Sequence, residues 1–288
     1  MRARSNAARG LASHACSIIR SVFSLGDSGF MPMRLIRNFV LASVVATLGF
    51  APPCARAANP DALWDIVDGQ CVPAAEGAST RQPCAEVDLA AGYAVLKDIV
   101  GVAQYLLIPT ARVSGIESPE LLDANAPNYW RDAWQARHFV DDALRSRLPR
   151  GEISLAVNSA SGRTQNQLHI HIDCLAADVA DALREAGPKI GTEWSPLPMR
   201  LRGHRYRAMR IDDADLSHTD PFKLLAAAVA REGGAMGDQT LLLAGAVRRD
   251  GAPAFYLLND HVGVGNWASA EELQDHTCGR VDREIEKP

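Results

Sequence analysis

The sharpest pattern in the chain is a strict alternation of apolar and polar residues over 167–173, where the sequence reads QLHIHID. A period of two is typical of a β-strand that is buried on one face. The apolar face comprises Leu168, Ile170 and Ile172. The other face then presents His169 and His171 side by side. Because the pKa of imidazole lies near neutrality, two such rings suit nucleophilic, proton-transfer or metal chemistry, and the pattern favours an enzyme.

Hydrophobic periodicity also predicts the remaining elements. We expect further strands over residues 93–98, 104–109, 152–158, 206–211, 240–247 and 254–258. We expect helices over residues 59–67, 117–122, 128–147, 177–186 and 221–231. Ser118 is the expected N-cap of the second helix, and Asp250 with Gly251 is typical of a hairpin turn between the last two strands.

The order of these elements suggests an internal repeat. Strand, helix and then paired strands occur both in residues 59–190 and, more weakly, in residues 191–288. The second half lacks the paired histidines and has Asn259 and His261 just past its last strand. We interpret this as a degenerate tandem duplication. Two such halves predict an α+β fold, with one extended antiparallel sheet and helices packed on it.

Residues 1–58 are predicted to be a targeting leader rather than part of the fold. Arg34 and Arg37 precede an apolar run at 39–51, and small residues follow at 55–58. This order is typical of a secretory signal. The run is shorter than the roughly 20 residues of a spanning helix, so a cleaved signal and a short anchor both stay open. We expect the protein at the periplasmic face of an inner membrane. Translation that starts at Met31 or Met33 would give a better-shaped signal than translation from Met1.

Composition limits the classes of partner, and the cysteines suggest an oxidising compartment. The 288 residues carry a net charge of -4 and are 6% aromatic, which argues against nucleic acid as a ligand. Four cysteines follow the leader, and an even number in an exported chain suggests disulfides with three alternative connectivities. The simplest is a local bridge across a small-residue loop, with the other two cysteines paired: Cys71–Cys84 and Cys174–Cys278.

The segment 158–171 resembles the signature of the histidine-triad nucleotide hydrolases and transferases. That signature is a strand ending in Asn, a Gly-Gln-Ser/Thr loop, and three histidines that alternate with apolar residues. The residues that match it are Asn158, Gly162, Thr164, His169 and His171. Arg163 replaces the loop Gln, and Gln167 replaces the first histidine. Shifting the register by two residues would place Asp173 third and misalign the loop, so we favour the first register.

Other segments resemble one branch, the bacterial CDP-diacylglycerol pyrophosphatases. They are YAVLKD at 93–98, QYLLIPT at 104–110, GIESP at 115–119, WQAR at 134–137, LRGH at 201–204 and ASAEELQDH at 268–276. The resemblance spans nearly the whole chain after the leader. It implies a histidine-triad-like (HIT-like) fold, no cofactor, and cleavage of the liponucleotide CDP-diacylglycerol to CMP and phosphatidate at a membrane surface.

The resemblance also implies roles for individual residues. His169 would attack the phosphorus attached to cytidine and form a nucleotidyl-histidine, and His171 would bind the phosphoryl oxygens. Further donors and positive charge for the phosphates would come from Asn158, Arg163, Thr164 and Gln167. Lys97, at a strand end, is a candidate nucleotide contact, although a solvated lysine explains it equally well.

Three alternatives stay open at this point. The paired histidines suit zinc, but the sequence offers no obvious third ligand. Gln167 in place of a histidine favours a silent nucleotide- or lipid-binding module. The same chemistry on soluble nucleotides is also consistent. Two further features have ordinary explanations: Trp130 and Trp134 suit core packing, and the arginine-rich segment 200–210 suits a solvated loop, with lipid phosphates as the other reading.

Overall fold

The computed structural model describes residues 59–80 and 82–280, and within them nine strands form one antiparallel sheet. The predicted leader lies outside the described residues. The strands are β1 (Glu86–Asp88), β2 (Tyr93–Lys97), β3 (Tyr105–Pro109), β4 (Ile153–Val157), β5 (Ile170–Cys174), β6 (Ser195–Pro196), β7 (Arg207–Ile211), β8 (Gln239–Val247) and β9 (Pro253–His261). Their order across the sheet is β1-β2-β3-β5-β4-β8-β9-β7-β6.

Six α-helices accompany the sheet in the described part of the chain. They are α1 (Ala62–Ile66), α2 (Val72–Ala75), α3 (Tyr129–Ala136), α4 (His138–Leu144), α5 (Ala177–Ala186) and α6 (Pro221–Glu232). A π-helical turn, Val67–Cys71, joins α1 to α2, and a 3-10 turn, Ala270–Leu273, lies near the C-terminus. None of the helices in the described residues is long and apolar enough to cross a membrane.

One face of the sheet forms the larger core with α3, α4 and α6. Every second strand residue points into it, among them Leu107, Leu155, Ile170, Leu243 and Leu257. Trp130 and Trp134 are buried there and meet Phe222 and Phe255 edge-on, at centroid distances of 5.3 and 4.7 Å. The prediction that both tryptophans pack in the core is confirmed.

The opposite face carries two apolar clusters with polar residues between them. The segment α1–α2 packs on Ala94, Leu106 and Ile108 of β2 and β3. Helix α5 packs on Ala156 of β4 and on residues of β8 and β9. Strand β5 lies between these clusters and places His171 and Asp173 on this face. The polar strip is therefore enclosed by packed elements on two sides.

The strand order is symmetric about the pair β4–β8. On one side it reads β2-β3-β5-β4, and on the other β6-β7-β9-β8. Each set follows the chain order strand, strand, helix, strand, strand. This is the order that a tandem duplication would produce. The α+β class and the single extended sheet are confirmed, whereas the duplication, the division at residue 190 and the HIT-like family of folds stay predictions.

Most predicted elements match the structure to within three residues at each end, and three differences bear on the description of the fold. The predicted helix 128–147 is two helices separated at Arg137, whose guanidinium lies over the Trp134 ring at 4.4 Å. Strand β5 begins only at Ile170, since Leu168 donates from its backbone N–H to the Val113 carbonyl in the irregular segment after β3. The helix predicted over 59–67 continues as far as Ala75.

Ser118 occupies the predicted N-cap position of a short 3-10 turn, Pro119–Leu122, with Pro119 at the first helical position, but its side chain does not cap the turn. Its hydroxyl instead accepts from the Gly115 backbone N–H at 3.3 Å and lies 3.0 Å from the Ser114 hydroxyl. The side chain is therefore already used in the preceding turn.

Both predicted disulfides are confirmed. Cys71–Cys84 ties the π-helical turn to the segment before β1. Cys174–Cys278 ties the end of β5 to the C-terminal segment. The second bridge holds the residues around the 3-10 turn Ala270–Leu273 against the polar strip.

Candidate active site

The two histidines lie together on the polar face of the sheet. His169 immediately precedes β5, and His171 is within it, paired with Leu106 of β3 and Ala156 of β4. Both side chains are buried. Their ring centroids are 4.8 Å apart, with the ring planes inclined by 67°. The two imidazoles therefore face one small volume, as the alternation pattern predicts.

His169 is held in one tautomer by its own backbone. Its Nδ1 lies 2.7 Å from the carbonyl oxygen of Gln167. A carbonyl oxygen only accepts hydrogen bonds, so Nδ1 carries the proton and Nε2 keeps a lone pair. Burial lowers the pKa of His169 below its ordinary value, which keeps the ring neutral near pH 7. A neutral, oriented imidazole is the form that nucleophilic attack requires.

His171 is surrounded by polar groups at one ring nitrogen only. Its Nδ1 lies 2.6 Å from Gln104 Nε2 and 3.4 Å from Glu271 Oε1. Its Nε2 is buried and has no hydrogen-bond partner among the described residues. Burial, with smaller contributions from the charges of His169 and His276, places the pKa of His171 well below its ordinary value. The ring of His171 is therefore also neutral, and its Nε2 is available for a hydrogen bond with a ligand.

Asn158 follows β4 and contacts the C-terminal segment. Its Oδ1 accepts from Ser269 Oγ at 3.1 Å and from the Glu271 backbone N–H at 3.2 Å. Its Nδ2 donates to Glu271 Oε2 at 3.0 Å. The structure therefore links Asn158 to His171 through Glu271, whose Oε1 lies 3.4 Å from His171 Nδ1, and the Asn158 amide group is engaged by Glu271 and Ser269.

Arg163 and Thr164 lie on the loop before the histidines. Arg163 donates two bonds to Glu117, at 2.6 and 2.7 Å, and its side chain is largely buried. Although burial raises the pKa of Glu117, the bonds from Arg163 hold it below its usual value. The Arg163 charge is thus balanced by a carboxylate that the sequence reasoning did not identify. Thr164 is exposed.

Gln167 and Lys97 are engaged with the backbone. The buried Gln167 amide donates to the carbonyl oxygens of Pro109 and Ala111, at 3.0 and 2.8 Å. Lys97 donates to the carbonyls of Asp98 and Gly101 in the turn between β2 and β3, at 2.9 and 3.0 Å. Both side chains fix the segments that flank the site.

A group of polar residues missed by the sequence reasoning completes the site. Asp173 is fully buried, and its Oδ2 lies 2.7 Å from His276 Nδ1, which raises the pKa of His276 above its ordinary value. The other nitrogen of His276 lies 3.5 Å from Glu271 Oε1. His276 and Glu271 come from a segment without strong periodicity, about 100 residues after β5. The one signal for them was the family resemblance of residues 268–276.

Two other features of the described residues do not extend the site. A cavity of about 730 Å³ between α5 and the β8–β9 turn is lined by Arg184, Arg210 and Arg248, and by none of the predicted site residues. The potential metal ligands that come within 4.8 Å of one another in the described chain are Asp173, Cys174 and Cys278. Both of those sulfurs are in the disulfide, so this group does not suit a metal ion.

A buried, neutral imidazole with a free lone pair, next to groups that can donate to anionic oxygens, suits a histidine-dependent phosphohydrolase. Comparison with known proteins identifies the family. The family model described as CDP-diacylglycerol pyrophosphatase matches residues 58–282, and the chain belongs to this family. A curated CDP-diacylglycerol pyrophosphatase from Yersinia pestis is 46% identical over 225 residues, which cover 77% of this chain and 86% of the relative. The resemblance stated from the sequence is confirmed.

Proposed function

We propose that the protein hydrolyses the pyrophosphate bond of CDP-diacylglycerol, giving CMP and phosphatidate, with His169 as the nucleophile. Membership of the family and the 46% identical relative support the substrate and the reaction. The observation that carries the mechanism is the 2.7 Å contact between His169 Nδ1 and the Gln167 carbonyl, which leaves the Nε2 lone pair free to attack.

In the first step, His169 Nε2 attacks the phosphorus attached to cytidine. A nitrogen–phosphorus bond forms, and the bond from that phosphorus to the bridging oxygen breaks. Phosphatidate leaves with the electron pair as a stable phosphate anion. The Gln167 carbonyl stabilises the positive charge that develops on the ring, through its bond to Nδ1–H.

In the second step, water attacks the phosphorus of the nucleotidyl-histidine. The nitrogen–phosphorus bond breaks, its electron pair returns to His169 Nε2, and CMP is released. The proton lost by water is released to solvent together with CMP. Splitting one displacement into two steps lowers the barrier of each.

The direct test compares the full chain with His169→Ala and with His218→Ala, an exposed histidine that serves as the matched control. CMP release from CDP-diacylglycerol is measured with and without a chelator. We expect His169→Ala to lower kcat by more than about 1000-fold and His218→Ala to change it little. With label in the cytidine phosphate, an alkaline quench should trap the label on wild-type His169.

The other outcomes decide between the alternatives. No CMP release by the wild-type chain would favour the binding module, and release that the chelator abolishes would favour a metal site. Faster turnover of soluble nucleotides than of CDP-diacylglycerol would change the substrate class. The side chain of Gln167 is engaged at both ends by the backbone, because its NH₂ group donates to the carbonyls of Pro109 and Ala111 and its Oε1 accepts from the Val113 N–H, so its replacement of a histidine does not by itself argue for a catalytically silent protein.

We further propose that the protein works at the periplasmic face of the inner membrane. The leader pattern supports export, and the two disulfides suit an oxidising compartment. Exposed apolar residues also border the site. Ile99 and Val102, 101% and 59% exposed, lie on the β2–β3 turn, whose Val102 N–H donates to the His276 carbonyl. Trp267, 71% exposed, lies on the loop that contacts Ser159.

Substitution of these apolar residues by polar ones tests whether they contact the membrane surface. The double variant Ile99→Ser/Val102→Ser is compared with Val247→Ser, which removes a residue that is 57% exposed in a part of the sheet remote from the histidines. We expect the double variant to raise KM for substrate in vesicles but not for a short-chain substrate in solution. Equal KM values in vesicles would argue against this surface, as would recovery of the native protein from the cytoplasm on cell fractionation.

A further inference from the structure

We propose that Gln104 and Glu271 are positioning residues that hold His171 as the Nε2–H tautomer, so that this nitrogen donates to a phosphoryl oxygen of the substrate. The inference rests on the proposed function, in which His171 lies beside the nucleophile. It deepens that function by assigning a task to two residues that the sequence reasoning did not place in the site.

The orientation of the Gln104 amide follows from its neighbours. Its Nε2 lies 3.3 Å from Glu271 Oε1 and 2.6 Å from His171 Nδ1. A carboxylate oxygen accepts hydrogen bonds, so the amide nitrogen, and not the amide oxygen, faces Glu271 Oε1. The same NH₂ group therefore donates to His171. Nδ1 must then be an acceptor and carries no proton.

A neutral imidazole has one proton, so the proton of His171 is on Nε2. This nitrogen is buried and unpartnered within the described part of the chain. A buried donor without an acceptor is unfavourable, and the substrate can supply the missing acceptor. The phosphate that His169 attacks is such an acceptor, because it is anionic. It would also lie close to His171, since the centroids of the His169 and His171 rings are 4.8 Å apart.

The two rings thus have opposite tautomers. His169 keeps its proton on Nδ1 and presents a lone pair, whereas His171 keeps its proton on Nε2 and presents a donor. One ring is suited to attack phosphorus, and the other to stabilise the charge that gathers on the phosphoryl oxygens. The opposite tautomer of His171 would point an N–H at the Gln104 NH₂ group, 2.6 Å away, and a lone pair at the substrate, both of which are repulsive. Its one favourable contact, from Nδ1 to Glu271 Oε1, is longer at 3.4 Å.

Glu271 is itself fixed from its other side. Its Oε2 accepts from Asn158 Nδ2 at 3.0 Å, and its backbone N–H donates to Asn158 Oδ1 at 3.2 Å. The chain of contacts therefore runs from Asn158 through Glu271 and Gln104 to His171. In this arrangement Asn158 positions Glu271, which differs from the phosphate contact that the resemblance implied.

The test uses the full chain and the variants Gln104→Glu, Gln104→Met and, as control, the exposed Gln135→Glu. Gln104→Glu places an acceptor against Nδ1 and should move the proton to that nitrogen. We expect kcat to fall about 100-fold or more, as on loss of one oxyanion donor, with KM changed less than about threefold. Gln104→Met should lower kcat less, and Gln135→Glu should change neither value.

Nitrogen-15 NMR of histidine-labelled protein gives a readout that a merely structural role would not move. The His171 signals, assigned with His171→Gln, should show a protonated Nε2 in the wild-type chain and a protonated Nδ1 in Gln104→Glu. A protonated Nδ1 in the wild type, or wild-type kcat in Gln104→Glu, would overturn the inference. An active His169→Ala would instead refute the proposed function, whatever tautomer His171 has.

Discussion

The bridge Cys174–Cys278 is predicted to stabilise both the fold and the active site. It closes 104 residues and lies next to Asp173 at one end and two residues after His276 at the other. The perturbation is the double variant Cys174→Ala/Cys278→Ala, which leaves no single thiol to exchange with Cys16 or Cys54. The matched control, Cys71→Ala/Cys84→Ala, removes the bridge that closes 13 residues beside α1 and α2.

The expected magnitudes follow from the lengths of the two closed loops. A loop of this length lowers the entropy of the unfolded chain by the equivalent of about 4.7 kcal/mol, against about 3 kcal/mol for the shorter one. For a chain of this size, 1 kcal/mol corresponds to roughly 2–4 °C in Tm. We therefore expect Tm to fall by roughly 10–19 °C without Cys174–Cys278 and by roughly 6–12 °C without Cys71–Cys84.

Thermal unfolding of both variants, with CMP release measured well below Tm, checks the reasoning. The loss of Cys174–Cys278 should lower kcat at least about tenfold while the protein is folded, because the segment with Glu271 and His276 is no longer held against β5. The control should keep kcat within about twofold. A larger fall in Tm for the control, or unchanged kcat without Cys174–Cys278, would refute the argument.

Three further outcomes are expected. Because burial lowers the pKa of His169 below 6.5 and only its neutral form attacks, the acidic limb of kcat/KM should lie below pH 6.5; a limb above that value would exclude His169 as the titrating nucleophile. Gly245→Ala should lower the free energy of unfolding by about 1–3 kcal/mol in denaturant, because the new Cβ would lie 2.1 Å from the Arg150 carbonyl oxygen. Gly191→Ala should lower it much less, because nothing lies within 4 Å of the new Cβ; equal losses would contradict this. Trp130→Ala should lower the free energy of unfolding by about 3–5 kcal/mol. Trp130→Phe should lower it clearly less, because the buried Nε1 has no hydrogen-bond partner in the described chain; a similar loss for both variants would indicate that Nε1 does make a hydrogen bond.

Local patterns determined much of the architecture. Runs of strand-forming residues bounded by turn residues located β2, β3, β4, β7, β8 and β9 to within three residues at each end, and helical periodicity located α5 and α6 almost as closely. Two-residue alternation over 167–173 placed His169 and His171 on one face, because side chains of an extended chain point alternately to opposite sides. The even number of cysteines and the small-residue loop gave both disulfides. These features depend on residues close together in the chain.

Other features were decided only by tertiary structure. The break between α3 and α4 at Arg137 and the late start of β5 occur where the chain contacts Trp134 and the segment after β3, and no local period indicates these contacts. The sequence by itself determined which strand carries the histidines. It did not determine the state of His171, because Gln104 reaches the site from the residue before β3, and Glu271 and His276 from a C-terminal segment held by a disulfide. The tautomer of a buried ring depends on which donors and acceptors surround it, and long-range folding alone brings those groups within hydrogen-bonding distance.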